Sequence, residues 1–155
     1  MRVLLPGSYD PVTLGHLDIV RRVAERGDEV FLVAFVNPEK SYFFTPRERV
    51  KMLSLATEDM PCVHVGFFNG RVVDYMRENG IEKIVKGYRN ASDLAYEKIQ
   101  ADYNLENGRF ETEFMKSRED FRNISSTAAR RLIEKGESLD GILPEKVIEF
   151  LRSKD

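Results

Sequence analysis

The segment from Pro6 to Leu17 combines turn-forming residues with a histidine and follows a short apolar run, Val3 to Leu5. Gly7 would let backbone amides approach a ligand closely. His16 falls in the first turn of an amphipathic helix, where unpaired amides and partial positive charge favour anions, and its ring can donate a hydrogen bond to a phosphoryl oxygen. The spacing matches neither a P-loop nor the glycine fingerprint of a dinucleotide fold. The segment predicts a phosphate site of another kind; the alternative is a plain turn with a chance histidine.

Polar residues also follow three other apolar runs. The clusters are Asn37 to Lys40, Lys86 to Arg89, and Asn123 to Thr127. The hydroxyls and helix-entry amides of the third cluster could form a second anion cradle, although serine or threonine also serves as an ordinary N-cap. Lys40 and Arg89 could each be a solvated surface charge. Four such clusters at four predicted strand ends nevertheless favour a shared site.

The elements that must position these residues are short β-rich runs alternating with longer helical patterns. Predicted strands cover Val3 to Leu5, Glu29 to Val36, Val63 to Phe68, Lys83 to Lys86 and Glu113 to Lys116. Predicted helices cover about 15–25, 46–57, 72–78, 93–104, 126–134 and 145–152. Such alternation predicts an α/β fold, with a five-stranded parallel sheet covered by helices on both faces. Ligands of these folds bind beyond the carboxyl ends of the strands.

Helix boundary signals support this assignment. Gly27 and Gly80 follow predicted helices as C-terminal stops. Thr45, Pro46 and Glu48 combine an N-cap, a proline at the first helical position and a capping-box glutamate.

Length and composition predict one domain over residues 1–155 of an ordinary globular protein, with 42% hydrophobic and 32% charged residues. A net charge of −2 gives no global attraction to nucleic acid or anionic membrane, and Arg130-Arg131 is an isolated basic pair. The single Cys62 and two histidines make a zinc site improbable, and the apolar run around Cys62 predicts a buried side chain. No signal peptide or membrane span is recognisable, so we expect a cytoplasmic protein that binds neither nucleic acid nor membrane.

Four groups of residues, at predicted strand ends and helix starts, form patterns that occur in a known family. They comprise Gly7 to Pro11 with Thr13-Leu14-Gly15-His16, Phe44-Thr45 with Glu48-Arg49, Gly87 to Glu97 after Lys86, and Ile124 to Thr127. Together, over nearly the whole chain, they resemble bacterial phosphopantetheine adenylyltransferases. The histidine and Ser-Ser-Thr elements are shared by the wider nucleotidyltransferase superfamily, whereas the G-x-R-x-x-x-D-x-x-Y-E pattern that begins at Gly87 is more particular to this family.

The resemblance implies a Rossmann-like nucleotidyltransferase fold, a homohexamer, and transfer of adenylate from ATP to 4′-phosphopantetheine, giving dephospho-coenzyme A and pyrophosphate. A phosphate monoester is already anionic near neutral pH, so it can attack the α-phosphorus directly, without a dedicated base or a covalent enzyme intermediate. The protein then has to position two anions and neutralise developing charge. Mg²⁺ is the expected cofactor, bridging ATP phosphates mostly through water and without a metal site made by the protein.

The resemblance also implies roles for individual residues. The catalytic residues would be His16 on the α-phosphoryl oxygens, Lys40 between the two phosphates, and Arg89 with the Ser125, Ser126 and Thr127 cradle on the β- and γ-phosphates. ATP would further contact Ser8, Tyr9, Gly87, Tyr88, Glu97, Phe121, Arg122, Asn123 and Ile124. The phosphopantetheine would contact Ser8, Lys40, Val72 and Lys86, with Ser8 bridging both ligands and Lys86 holding the phosphate.

Four residues depart from the family pattern. Leu14 replaces a polar residue, which should be neutral because the motif needs only Gly15 and His16. Ser8 replaces the usual threonine, and Lys86 replaces the usual arginine, which removes the fork that recognises phosphate. Arg71 stands where leucine is usual near the pantetheine arm. It could pack its alkyl stem with the guanidinium in solvent, or it could indicate a changed acceptor.

Other function classes remain as alternatives. An adenylyltransferase for nicotinamide mononucleotide usually carries a tryptophan-containing signature, and this chain has no Trp. A cytidylyltransferase for a small phosphorylated alcohol usually carries R-x-x-G-I-S-T, where this chain has Asn123 at the glycine position. A non-catalytic nucleotide-binding regulator would not need His16, Lys40 and Arg89 together.

Overall fold

A computed structural model describes residues 1–154. Its strands are β1 (Arg2–Gly7), β2 (Glu29–Val36), β3 (Val63–Asn69), β4 (Lys83–Tyr88) and β5 (Thr112–Lys116). They form one parallel sheet in the order β3-β2-β1-β4-β5. The predicted five-stranded parallel sheet is therefore confirmed.

The helices are α1 (Leu14–Glu25), α2 (Pro46–Ala56), α3 (Val72–Asn79), α4 (Ala91–Gly108), α5 (Ser126–Lys135) and α6 (Glu145–Ser153), with a 3₁₀ turn at Glu119–Phe121. All six predicted helices are present. The prediction was wrong mainly at α4, which is longer at both ends because Asn90 caps its start and Arg109 ends it in a left-handed conformation. It was also short at β1, where Arg2, Pro6 and Gly7 pair with β2 as well, and at β4, where Gly87 and Tyr88 continue the ladder beside β5.

Two apolar cores lie on opposite faces of the sheet. In β1, Val3 and Leu5 face a core shared with α1, α2 and α6, and Leu4 between them faces a second core shared with α3. This alternation follows from the two-residue period of a strand, and burial on both faces explains why the strand is continuously apolar. The predicted covering of both faces is confirmed.

The order in which strands are added to the sheet reverses at β1. Successive strands β1, β2 and β3 run toward one edge, and β4 then pairs with the other side of β1 and leads to β5. The carboxyl ends of β1 and its neighbours β2 and β4 consequently border the point at which the strand order reverses, where ligands bind in folds of this kind.

Side-chain caps fix where the helices near this edge begin. Thr13 caps α1, Thr45 caps α2 together with Pro46 and Glu48, and Ser125 caps α5. The predicted capping box at Thr45 is confirmed, as are the C-terminal stops, since Gly27 and Gly80 adopt left-handed conformations after α1 and α3.

Cys62 is only half-buried, which corrects the prediction of a buried side chain. It lies just before β3, at the edge of the sheet, where the covering helices do not enclose it fully. Among residues 1–154 no helix has the length and apolar character needed to cross a membrane.

Candidate active site

The four predicted polar clusters meet at one cleft of about 640 Å³ at the carboxyl end of the sheet. Of the predicted site residues, the cleft is lined by Ser8, Tyr9, His16, Lys40, Val72, Lys86, Gly87, Tyr88, Arg89, Glu97, Phe121, Ile124, Ser125, Ser126 and Thr127. Arg122 and Asn123 lie outside this lining, and the Arg122 guanidinium pairs with Glu119 at 3.1 Å. The fold thus brings together nearly all of the residues that the sequence singled out.

His16 is held in one orientation by the residue that caps its helix. The Thr13 amide donates to His16 Nδ1 at 3.0 Å, and the His16 amide donates to Thr13 Oγ1 at 3.3 Å. Since Nδ1 accepts this bond, the neutral ring carries its proton on Nε2. The edge of the ring also packs against Tyr9, with ring centroids 5.0 Å apart. Helix α1 therefore presents one oriented N–H donor.

The surroundings of His16 keep its ring neutral. Burial, together with the positive charges of Lys86 and Arg89, lowers the pKa of His16 to about 4. A neutral imidazole donates a hydrogen bond without placing another cation beside the two already present.

Lys40 and Ser8 come from different strand ends and meet in the cleft. Lys40 Nζ lies 3.3 Å from Ser8 Oγ, and it lies 5.5 Å from the centre of the Tyr42 ring. The loop that carries Lys40 is closed by the Asn37 amide, which donates to the Tyr42 hydroxyl at 2.8 Å. The ammonium group is thus placed beside a hydroxyl that follows β1.

Two further cations of the cleft are each paired with a carboxylate of α4. Lys86 Nζ lies 3.3 Å from Glu97 and donates to the Pro6 carbonyl at 3.1 Å. Arg89 Nε lies 3.7 Å from Asp93, whose carboxylate also accepts the Arg89 amide at 3.0 Å. Glu97 therefore orients Lys86, in addition to lining the cleft.

The start of α5 closes the cleft from the other side. Ser125 caps the helix by accepting the Ala128 amide at 3.0 Å, so the N-cap interpretation is correct for this residue. The Ser126 hydroxyl donates to the Pro11 carbonyl at 2.8 Å. The first helical amides have no acceptor within the helix, which leaves the amides of Ser126 and Thr127 available to an anion.

Tyr9 is packed under the loop that follows β1. Its hydroxyl donates to the Leu5 carbonyl at 2.9 Å, and burial followed by the charge of Glu97 raises the pKa of this phenol. A Cβ at Gly7 would approach the Tyr9 ring to 3.0 Å. The Tyr9 ring therefore leaves little room for a side chain at Gly7, a reason for glycine that the sequence alone does not provide.

Gly87 allows helix α1 to pack closely on β4. A Cβ at this position would come within 2.9 Å of Ile19 Cγ1, closer than real side-chain contacts allow. Since Ile19 and His16 lie on the same helix, this contact sets how near the histidine approaches the end of β4.

Asp10 and Arg130 were missed as positioning groups by the sequence reasoning. The buried Asp10 carboxylate accepts the amides of Phe43 and Phe44, both at 2.8 Å, and Arg130 Nη1 donates to the Asp10 carbonyl at 2.8 Å. These bonds tie the loop after β1 to the loop after β2 and to α5. A lone aspartate before a proline carries no signal for such distant partners.

Arg71 lies outside the cleft lining. Its guanidinium is half-exposed and forms a double hydrogen bond with Asp74, at 3.0 and 3.1 Å, and a bond to the Tyr103 hydroxyl at 3.3 Å. Asp74 and Tyr103 thus hold this departure from the family pattern at the surface.

The arrangement is suited to polyanionic ligands. Three cations, a neutral histidine donor and the start of α5 face one cleft, whereas residues 1–154 contain no cluster of three potential metal-ligating side chains. Preorganised donors of this kind can stabilise charge that develops on a transferred phosphoryl group.

Comparison with known proteins agrees with this geometry. The cytidylyltransferase-like family matches residues 4–132. The phosphopantetheine adenylyltransferase of Clostridium novyi is 38% identical, covering 99% of this chain and 97% of the relative. That of Symbiobacterium thermophilum is 40% identical over 99% and 96%, and that of Clostridium tetani is 39% identical over 96% and 94%.

Proposed function

This chain belongs to the cytidylyltransferase-like family and, within it, to the phosphopantetheine adenylyltransferases, and we propose from that premise that it transfers adenylate from ATP to 4′-phosphopantetheine. The products are dephospho-coenzyme A and pyrophosphate, a step of coenzyme A biosynthesis. The observation that carries the proposal is the meeting of His16, Lys40, Lys86 and Arg89 at one cleft. We assign the reaction to the cytoplasm.

His16 and the three cations of the cleft each have a role in this reaction. The Nε2–H of His16 bonds the α-phosphoryl oxygens, where negative charge increases in the transition state. Lys40, close to Ser8, neutralises the acceptor phosphate and the α-phosphate as they approach. Lys86 holds the acceptor phosphate, and Arg89 holds the β- and γ-phosphates together with the start of α5.

The transfer proceeds in one in-line step. An oxygen of the acceptor phosphate forms a bond to the α-phosphorus, and the bond from that phosphorus to the α,β-bridging oxygen breaks. The electron pair leaves with pyrophosphate, so no proton has to be removed from the nucleophile. Support comes from the ionised state of a phosphate monoester near neutral pH, which removes the need for a general base or a nucleophilic side chain.

Mg²⁺ enters with ATP in this proposal. The two carboxylates that line the cleft, Asp93 and Glu97, are each paired with a cation. Phosphate oxygens and water would supply the ligands of the ion, which suits its preference for retaining part of its hydration shell. Its chemistry is to neutralise phosphate charge.

The assembly we propose is a homohexamer. The family resemblance supports it, and so does the exposed apolar surface of α4. Three large apolar side chains lie at helical spacing on one face of this helix and are 43 to 67% exposed: Tyr96, Ile99 and Tyr103. Such a patch on a single chain is typical of a surface that contacts another protein.

The activity is tested by incubating the purified protein with ATP, Mg²⁺ and 4′-phosphopantetheine and quantifying dephospho-coenzyme A and pyrophosphate by mass spectrometry. Nicotinamide mononucleotide with ATP, and glycerol 3-phosphate with CTP, serve as parallel reactions. We expect equal amounts of both products with phosphopantetheine alone. Turnover of another acceptor in its place would refute the proposal.

The single-step mechanism has its own test. ATP with a stereogenic α-thiophosphate is used as substrate, and the configuration at phosphorus in the product is determined. One displacement inverts the configuration, whereas a covalent adenylyl-enzyme formed and resolved by two displacements retains it. Retention would refute direct transfer without affecting the assigned activity.

A further inference from the structure

Arg49 on α2 is a buried charge that the proposed mechanism does not use. Its side chain is 0% exposed, and it is the largest fully buried side chain in the described chain. A guanidinium stays protonated at physiological pH, and burial of a charge without a counter-charge is strongly unfavourable. Among residues 1–154, the Nε and Nη2 atoms of Arg49 find no hydrogen-bond acceptor. Stability alone therefore does not explain an arginine here, because an apolar side chain of similar volume would be less costly.

The hydrogen bond and the cation–π contact of Arg49 are both with residues of the cleft. Its Nη1 donates to the Ser8 carbonyl at 2.9 Å. Its guanidinium carbon lies 4.1 Å from the centre of the Tyr42 ring, within the range of a cation–π interaction. One side chain on α2 thereby links the segment after β1 to the loop after β2.

The same two residues surround Lys40. The ammonium group of Lys40 lies 3.3 Å from the Ser8 hydroxyl and 5.5 Å from the Tyr42 ring. Lys40 itself is exposed and lies on a loop, so its long side chain loses considerable rotational freedom when it is held in one place. Fixing Ser8 and Tyr42 beforehand reduces that entropic loss on ligand binding.

We propose that Arg49 is a positioning residue that acts through Lys40. By holding Ser8 and Tyr42, it keeps the Lys40 ammonium at the place where the acceptor phosphate and the α-phosphate meet. The expected effect of Arg49 on turnover rests on the proposed adenylyl transfer. Its expected effect on the loop does not depend on that activity.

The kinetic test is a double-mutant cycle with Arg49→Met and Lys40→Ala. Methionine keeps much of the buried volume and removes the charge and the hydrogen bond. We expect Arg49→Met alone to lower kcat by about 10- to 100-fold, the scale expected from displacement of a reacting group. In the Lys40→Ala background the same substitution should lower kcat much less, because the effects of substitutions at two coupled residues are not additive. An equal loss in both backgrounds would overturn the proposal.

The second test uses amide hydrogen exchange and needs no turnover. Arg49→Met should speed exchange in the loop from Asn37 to Phe44 and leave the amides within α2 as slow as in the wild type. Leu53→Ala is the matched control, since Leu53 is also 0% exposed on α2 but belongs to the apolar core. It should lower the melting temperature without a selective change in the loop.

The outcomes separate the two proposals. If the wild type makes no dephospho-coenzyme A, the proposed function fails and exchange still decides the role of Arg49. Loop exchange unchanged by Arg49→Met would overturn the positioning role even in a fully active enzyme. Should Arg49→Met fold poorly, Arg49→Lys takes its place in both tests. Lysine keeps the charge but lacks the planar guanidinium group. We therefore expect Arg49→Lys also to lower kcat and to speed exchange in the loop. Loop exchange as slow as in the wild type would contradict the inference.

Discussion

His16 shows how two neighbouring residues set the chemistry of one donor. Thr13 begins helix α1 and, through its amide, also fixes which ring nitrogen of His16 carries the proton. The sequence could predict the histidine in a phosphate site from its place at a helix start. It could not predict the tautomer, because that depends on a hydrogen bond between specific atoms.

Replacing His16 tests its role as the donor to the α-phosphoryl oxygens. His16→Ala should lower kcat at least about a hundredfold, the usual effect of removing one preorganised donor. His64→Gln is the control, since His64 lies in β3 and pairs with Glu29 at 2.8 Å, outside the cleft. Near-normal turnover of the His16→Ala enzyme in steady-state assays would remove His16 from this role.

The low pKa of His16 predicts how stability depends on pH. A histidine titrates near pH 6.5 in the unfolded chain and near pH 4 in the folded protein. Between these values the unfolded state binds more protons, so stability should fall as the pH drops from about 6.5 toward 4. The free energy of unfolding in urea, measured across this range for the wild type and for His16→Gln, should give a difference that shrinks with decreasing pH. A constant difference would contradict a depressed pKa.

The positions of the helices and strands are the part of the structure that the sequence predicts best. Apolar periodicity located all five strands and six helices, and capping patterns located the starts of helices such as α2. What it could not anticipate were contacts between distant segments. Asp10 binding the Phe43 and Phe44 amides, and Ile19 packing on Gly87, depend on how the elements meet in three dimensions.

Gly87→Ala tests the packing of α1 on β4. The added methyl group would meet the Ile19 side chain at 2.9 Å, so either this side chain or helix α1, which carries His16, must shift. We expect a loss of about 1–3 kcal/mol in unfolding free energy, as for other overpacked cores, together with reduced kcat. Gly66→Ala is the matched strand control, because the nearest atom to its Cβ lies at 3.8 Å. Equal behaviour of the two variants in denaturation and turnover would argue against a packing role.

Asp10→Asn tests the bond between the loops after β1 and β2. An asparagine oxygen can accept one of the two backbone amides but leaves the other unpaired in a buried place, which costs about 1–3 kcal/mol. We expect thermal unfolding at lower temperature and a lower kcat, since Lys40 lies in the released loop. Wild-type values for both would show that the double hydrogen bond is dispensable.

At the scale of the whole molecule, the fold decides which apolar side chains are buried in the core. The others stay exposed on the surface, where another copy of the chain could contact them. Sequence alone does not separate the apolar residues of a core from those of an interface, and Phe35, Phe43, Phe67 and Phe68 are examples. In the structure Phe35 and Phe68 pack with Tyr75, whereas Phe43 and Phe67 are 43 and 49% exposed. Burial, which depends on the whole fold, is what distinguishes them.

The exposed face of α4 provides a test of the hexamer. The wild type should have six times the monomer mass in sedimentation equilibrium, and Ile99→Asp should dissociate the assembly because it places a charge in a buried apolar contact. Lys98→Glu, an exposed neighbour on the same helix, is the control for charge alone. A monomeric wild type would refute the assembly.

The bonds from α5 to the loop after β1 have a consequence for how the enzyme is made. The sheet is complete once Lys116 has been synthesised, but Ser126 and Arg130 contribute bonds to Pro11 and Asp10 only afterwards. A nascent chain can therefore pair all five strands before α5 closes the cleft, but the core around Val3 and Leu5 stays open until Val147 and Ile148 of α6 pack on it. Translation products that stop between these points should lack both a closed cleft and a complete core, so they should neither fold stably nor compete for ATP.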